Sequence, residues 1–121
     1  FKGYRTASGC EISEVELGDL TLAAQGIEFY AGTNKLKPTS YKNLDRVCAV
    51  MKRCPDAMLN ISTSGANARL AKLRACSVYA YFLKKKCITK ARMTYDGRGG
   101  ESGFTNAQGK KVDSRTEFQL R

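Results

Sequence analysis

The sequence has no histidine and no tryptophan, only 2 prolines, and 11 acidic residues against 21 basic ones. Each shortage excludes something. Without histidine, no side chain of ordinary pKa suits general base work at neutral pH, and a cysteine nucleophile lacks its usual partner. None of the 5 cysteines forms a CxxC pair, so a zinc site of clustered Cys and His is not expected. No GxxxxGK[ST] loop is present to cradle phosphates, and Gly97-Arg98-Gly99-Gly100 lacks the strand-to-helix setting such chemistry requires. No apolar run approaches the roughly 20 residues needed to span a bilayer. The expectation is a protein that is not an enzyme and carries no cofactor or metal.

What is present is charge, at +10 over 121 residues, with 42% hydrophobic residues. That length and composition suit one folded domain. The positive balance favours acidic partners. Nucleic acid is not the expected one, because no aromatic-plus-glycine RNA motif, zinc-finger spacing or clear helix-turn-helix is present. Phe1 in place of Met reads as a processed or trimmed start. Ala7-Ser8-Gly9-Cys10 has the small residues that precede a lipid-modified cysteine, but lacks the usual Leu and sits close to the start. A lipid anchor near or before that point stays an alternative. Cys48 lies on an apolar helical face and reads as a buried free thiol. Cys54 and Cys87 each follow a helix, so a bridge between helix ends is one option among several pairings.

Residues 1–24 read as an N-terminal extension, a short strand or hairpin around Gly18-Asp19 that docks on the domain or on another protein. Residues 25–121 read as the domain. Ile27 and Phe29 alternate with Glu28 as a first strand. Pro38-Thr39-Ser40 starts a helix, on which Tyr41, Leu44, Val47, Cys48 and Met51 share one face, and Cys54-Pro55 ends it. Leu59, Ile61 and Thr63 mark a second strand. Asn67 caps a second helix from Ala68 to about Lys86, with Lys84-Lys85-Lys86 complementing its C-terminal dipole. Ala91, Met93 and Tyr95 mark a third strand, residues 96–108 a long surface loop, and Thr116, Phe118 and Leu120 a last strand. The order βαβαββ predicts an α+β two-layer sandwich, a mixed sheet with two helices on one face.

These residues resemble the OmpA-like C-terminal domain family, found in peptidoglycan-associated lipoproteins and flagellar stator proteins. The resemblance covers roughly residues 26–120. It rests first on Asn67, Leu70, Arg74, Ala75, Ser77, Val78, Tyr81 and Ile88, which stand at the spacing of the family's Asn, Leu-Ser, Arg-Ala, Ser-Val, Tyr-Leu and Gly-Ile pattern. Ala71 replaces the Ser and Cys87 the Gly. Tyr95-Asp96-Gly97 and Gly109 with Asp113-Ser114-Arg115-Thr116-Glu117 resemble the family's closing segments, the latter its Asn-Arg-Arg-Val-Glu. Where the family has Gly-His-Thr-Asp and a glycine-rich loop, Ser62-Thr63-Ser64-Gly65-Ala66 runs almost directly into Asn67, so the His and the Asp are missing.

The resemblance implies that Arg74 grips a carboxylate of diaminopimelate-type peptidoglycan. Asn67, Ser64, Gly65 and Arg115 are candidate ligand-binding residues around it. It implies no Asp for the ligand's ammonium, unless Asp96 or Glu101 substitutes. The function implied is a periplasmic, outer-membrane-associated module that anchors or builds an envelope-spanning machine, with weakened wall binding. An OmpA-like lipoprotein of a type IVB secretion system outer-membrane core, or a flagellar-motor component, fits. The alternative is a pure protein–protein subunit with no peptidoglycan binding; from the charge alone, a basic nucleic-acid-binding domain is the further one.

Overall fold

The computed structural model describes residues 1–106 and 108–121. Ala107, inside the expected 96–108 loop, lies outside the described residues. In chain order the elements are β1 (Tyr4–Arg5), β2 (Glu11–Ile12), α1 (Glu14–Gln25), α2 (Tyr41–Arg53), β3 (Leu59–Gly65), α3 (Ala68–Lys84), β4 (Met93–Arg98), β5 (Phe104–Thr105), β6 (Lys111–Val112) and β7 (Ser114–Leu120). The main sheet has the order β4-β3-β7. In it β3 is parallel to β4 and antiparallel to β7. The class is α+β, with a mixed sheet and three helices.

The sheet is two-faced because β3 alternates. Leu59 and Ile61 are fully buried towards the helices. Asn60 points to the other face, where it donates to Gln119 at 2.8 Å and accepts from Thr94 at 2.7 Å. α3 lies across β3 and β4, with Ala71, Arg74, Ala75, Val78 and Phe82 on its buried side. That is the i, i+3, i+4, i+7 spacing of one helical face. Burying Val78 and Phe82 contributes about 1.5–3 kcal/mol each. Small residues set the approach: a Cβ on Gly97 of β4 would sit 2.2 Å from the Lys72 backbone nitrogen.

The N-terminal extension is where the pattern misled. Residues 14–25 form a helix, not a strand or hairpin. Ser13 accepts from the Glu16 N–H, and the Glu16 carboxylate takes the Ser13 N–H, each at 3.1 Å. This reciprocal cap nucleates α1, which buries Leu20, Ala23 and Ala24 against α2 and β7. The alternation of Val15 and Leu17 with glutamates suggested a strand; the cap at Ser13, five residues before Gly18, decided otherwise.

The first strand also differs. Ile27 and Phe29 are buried as expected, but residues 27–30 join no ladder beyond one bridge, Phe29 to Leu36. Their backbone is satisfied by the following turn. Lys37 N–H donates to the Glu28 carbonyl at 2.9 Å, and Tyr30 N–H to the Lys35 carbonyl at 3.0 Å. Ser40 accepts from the Glu28 N–H at 2.9 Å. Apolar alternation fixes which side chains go inside; it does not choose the hydrogen-bond partner. The 96–108 stretch, expected as loop, holds the end of β4 and the short β5, which pairs with β6.

The cysteine expectations are corrected. Cys10 bonds Cys54 and Cys48 bonds Cys87, with Cα separations of 5.6 and 5.4 Å. Cys48 is therefore not a free thiol, and Cys54 and Cys87 do not join each other. α2 turns Cys48 towards the chain leaving α3 and ends at Cys54 beside β2. Cys76 is the free one. The Cys10 sulfur, being in a disulfide, is not available to a lipid.

Candidate functional site

Arg74 stands on the buried side of α3 and is 1% exposed. A charge placed there must be paired and hydrogen-bonded, since its desolvation is costly. The partner is Asp113, the single residue between β6 and β7. Nη1 donates to Oδ1 at 2.8 Å and Nη2 to Oδ2 at 2.9 Å. This is the two-pronged geometry that suits guanidinium and carboxylate. Nε donates to the Thr33 carbonyl at 2.7 Å, and Nη2 makes a longer bond to the Tyr30 carbonyl at 3.4 Å. Below lies the Phe29 ring, 5.1 Å from the guanidinium carbon, a favourable cation–π distance. The irregular path of residues 27–37 thus has a structural use: it brings a ring and two carbonyls to the arginine.

Asp113 is held from its own side too. The Gly32 N–H donates to Oδ2 at 3.2 Å. The Arg74 hydrogen bonds hold the Asp113 carboxyl below the usual carboxylate range, partial burial opposes them, and the Gly32 N–H adds to the lowering. The arginine expected to grip a ligand's carboxylate is therefore paired with a carboxylate of its own chain.

The other expected residues are placed differently. Asn67 caps α3, accepting from the Leu70 N–H at 3.0 Å. Gly65 ends β3, where an added Cβ would lie 3.2 Å from the Asp113 carbonyl, so it borders the Arg74 seat from the backbone side. Ser64 is buried in the middle strand, registered opposite Arg115 and Arg98. Arg115 is exposed, pairs with Glu117 at 3.3 Å and lies over the Phe104 ring at 5.4 Å. Among the described residues it makes no ion pair with Asp113. Of the two suggested replacement carboxylates, Asp96 bonds Ser62 on the open sheet face. Glu101, in the stretch after β4, lies against the shortened turn: its N–H donates to the Gly65 carbonyl at 3.1 Å, and its Oε2 is buried with no hydrogen-bond partner among the described residues.

Sequence reasoning missed Asp113 as the partner and the role of Phe29. A signal was present for the first, since Asp113 stands where the resemblance has Asn, and that exchange adds a charge. Arg92 was missed too: it donates to the Met51 and Cys54 carbonyls, each at 2.8 Å, closing the end of α2. No group of three or more potential metal ligands occurs among the described residues, and no described helix is long and apolar enough to cross a membrane.

A mixed three-stranded sheet covered by helices, with a buried arginine of α3 paired to a carboxylate of the same chain, is the architecture of a small α+β domain. The match to a family model described as the OmpA family extends over residues 28–117, and the chain belongs to that family. Comparison with curated proteins gives no match. Among solved structures, the peptidoglycan-associated lipoprotein from Burkholderia pseudomallei is similar at 15% identity and TM-score 0.64, over 78% of this chain and 88% of that one. An outer membrane protein from Borrelia burgdorferi B31 is similar at 19% identity and TM-score 0.60, over 78% of this chain and 80% of that one. The cell wall anchor of the T6SS from Pseudomonas aeruginosa is similar at 17% identity and TM-score 0.57, over 75% and 72%. At these identities the likeness is one of fold.

Proposed function

We propose that the chain is a non-catalytic module of a Gram-negative cell envelope, working in the periplasm beside the outer membrane. It serves as an anchor or structural subunit of an envelope-spanning machine such as a secretion system. The observation that carries this reading is the state of Arg74. The residue stands where the family resemblance puts the wall-binding arginine, yet its fork already holds Asp113. Its grip on diaminopimelate-type wall is thereby weakened, and contacts with other envelope proteins take a larger share. α1 offers a surface for them: Val15 is 75% and Leu22 61% exposed, seven residues apart on one side of the helix. Any lipid anchor is on a residue other than Cys10.

A photo-crosslinker at Val15 or Leu22, used in intact cells, tests this. Crosslinks to other envelope proteins are expected, with sedimentation on purified wall that Arg74→Ala barely changes. Absence of any envelope partner would remove the subunit reading. The second reading, direct wall binding, is favoured by the unpartnered Glu101 Oε2 at the Gly65 turn, a carboxylate suited to an ammonium group. Strong sedimentation abolished by Arg74→Ala would select it.

A further inference from the structure

We infer that the basic cavity between the start of α2 and the β5–β6 hairpin is a binding site for a phosphate group carried on a polyol, as in a sugar phosphate or the phosphate headgroup of a lipid. Neither Arg74 nor Asp113 lines this cavity, and the site does not depend on the envelope reading.

Three observations support it. First, Lys37, Lys42, Lys110 and Lys111 line one cavity of about 450 Å³. They come from separate stretches: the approach to α2, its first turn, and the hairpin. None of the four makes an ion pair among the described residues. The one carboxylate on the same wall, Glu28, is engaged by Asn106, whose Nδ2 donates to Oε1 at 2.6 Å. A basic chain spreads its lysines over the surface when only solubility is served, because like charges repel. Four around one concavity await an anion.

Second, Lys42 stands where helix stability alone would not put it. The first turn of a helix favours acidic side chains. α1 follows that rule with Glu14 and Glu16, whereas the first turn of α2 has no acidic residue and carries Lys42 instead.

Third, the cavity is held in shape and its donors are of the right kind. Asn43 is buried and donates to the Gly26 carbonyl at 3.3 Å, which fixes the floor. The Asn106 side chain that engages Glu28 also accepts from the Lys110 N–H at 2.9 Å, which sets the hairpin. The Lys37 ammonium lies over the Tyr30 ring, 5.9 Å from its centre. The charged donors on the rim are ammonium groups with no guanidinium among them. Ammonium groups serve phosphate as point charges, whereas the flat guanidinium fork is the better match for a carboxylate. The Thr39 hydroxyl beside them suits the hydroxyls of a polyol, and the volume falls in the range of small-ligand sites.

The test uses the full chain and two probes. Glucose 6-phosphate is titrated while backbone amide signals are followed by nitrogen-15 NMR, with glucose and sodium chloride as controls. Phosphatidylcholine vesicles with and without phosphatidic acid are tested by flotation. Wild type is compared with Lys42→Gln plus Lys110→Gln, and with Lys72→Gln plus Lys84→Gln, which removes the same charge from exposed positions on α3. Shifts centred on residues 37–43 and 106–111 are expected in wild type and in the α3 variant. The Lys42, Lys110 variant is expected to bind at least about tenfold more weakly. Lys37→Gln plus Lys111→Gln, from the same rim, serves in its place should that variant fold poorly. Response to glucose 6-phosphate without vesicle binding identifies a soluble ligand; vesicle binding that needs phosphatidic acid and the rim lysines identifies a lipid headgroup. No response of wild type to either probe, or equal weakening in the rim and α3 variants, would overturn the inference.

Discussion

Arg74 and Asp113, 39 residues apart, meet fork to fork at 2.8 and 2.9 Å. One is on the buried side of α3; the other links β6 to β7. The pair therefore fastens the start of the last strand to the helix, and through Thr33, Tyr30 and Gly32 it fastens residues 29–33 to both.

Removing either partner should destabilise the fold by about 1.5–3 kcal/mol, the scale of a charged hydrogen bond lost from a buried group. Asp113→Ala leaves the arginine unpaired and should cost more than Asp113→Asn. The double variant with Arg74→Met should cost less than the sum of the singles, because two members of one network do not add. Urea unfolding of wild type, Asp113→Ala, Asp113→Asn, Arg74→Met and the double variant Asp113→Ala with Arg74→Met reads all of this.

Acid should act on the same pair. Asp113 releases its proton more easily in the folded chain than in the unfolded one. The stability it contributes is thus complete above its unfolded pKa, about 3.9, and is lost as pH falls through the lower, folded value. Glu16 behaves in the same direction, held down first by the Ser13 N–H and then by Arg53. Tm measured across the acid range should fall below about pH 4, and the fall should be shallower in Asp113→Asn.

The two disulfides close loops of 44 and 39 residues. At those lengths each should contribute about 2–4 kcal/mol, chiefly by restricting the unfolded chain. Cys10→Ser with Cys54→Ser should chiefly loosen β1, β2 and the start of α1, visible as faster amide exchange there. Cys48→Ser with Cys87→Ser should act at the junction of α2 and α3. Equal exchange in both variants would contradict this division.

Gly97→Ala should be destabilising by about 1–3 kcal/mol, because the new methyl meets the Lys72 backbone at 2.2 Å and α3 has to lift from β4. Glycine at this position serves close approach rather than a turn. Gly18→Ala on the open side of α1, with no atom near an added Cβ, should instead stabilise by about 0.5–1 kcal/mol. Thermal unfolding separates the two signs.

Much of this was legible in the sequence. The helices α2 and α3, the strands β3 and β7 and the cap at Asn67 each carry strong periodicity or a capping residue, and they stand where expected. α1 was misread because two alternating glutamates outweighed Ser13-x-x-Glu16, a cap whose effect extends over the following turns. Residues 27–30 were misread because burial of Ile27 and Phe29 does not reveal that Ser40 and Lys37 take the backbone bonds. Arg74 was found through its position in a motif. Its partner carried only a faint signal, a charge at Asp113 where the resemblance has Asn; the meeting of α3 with the β6–β7 link is what pairs the two.

The most direct measurement of the central claim is sedimentation with purified diaminopimelate-type wall, run at fixed salt because a chain of charge +10 also adheres to acidic polymer without specificity. Wild type should stay largely in solution, and Asp113→Asn should move into the pellet in an amount that Arg74→Ala abolishes when added to it. Wild type pelleting as fully as Asp113→Asn would contradict a seat already filled from within.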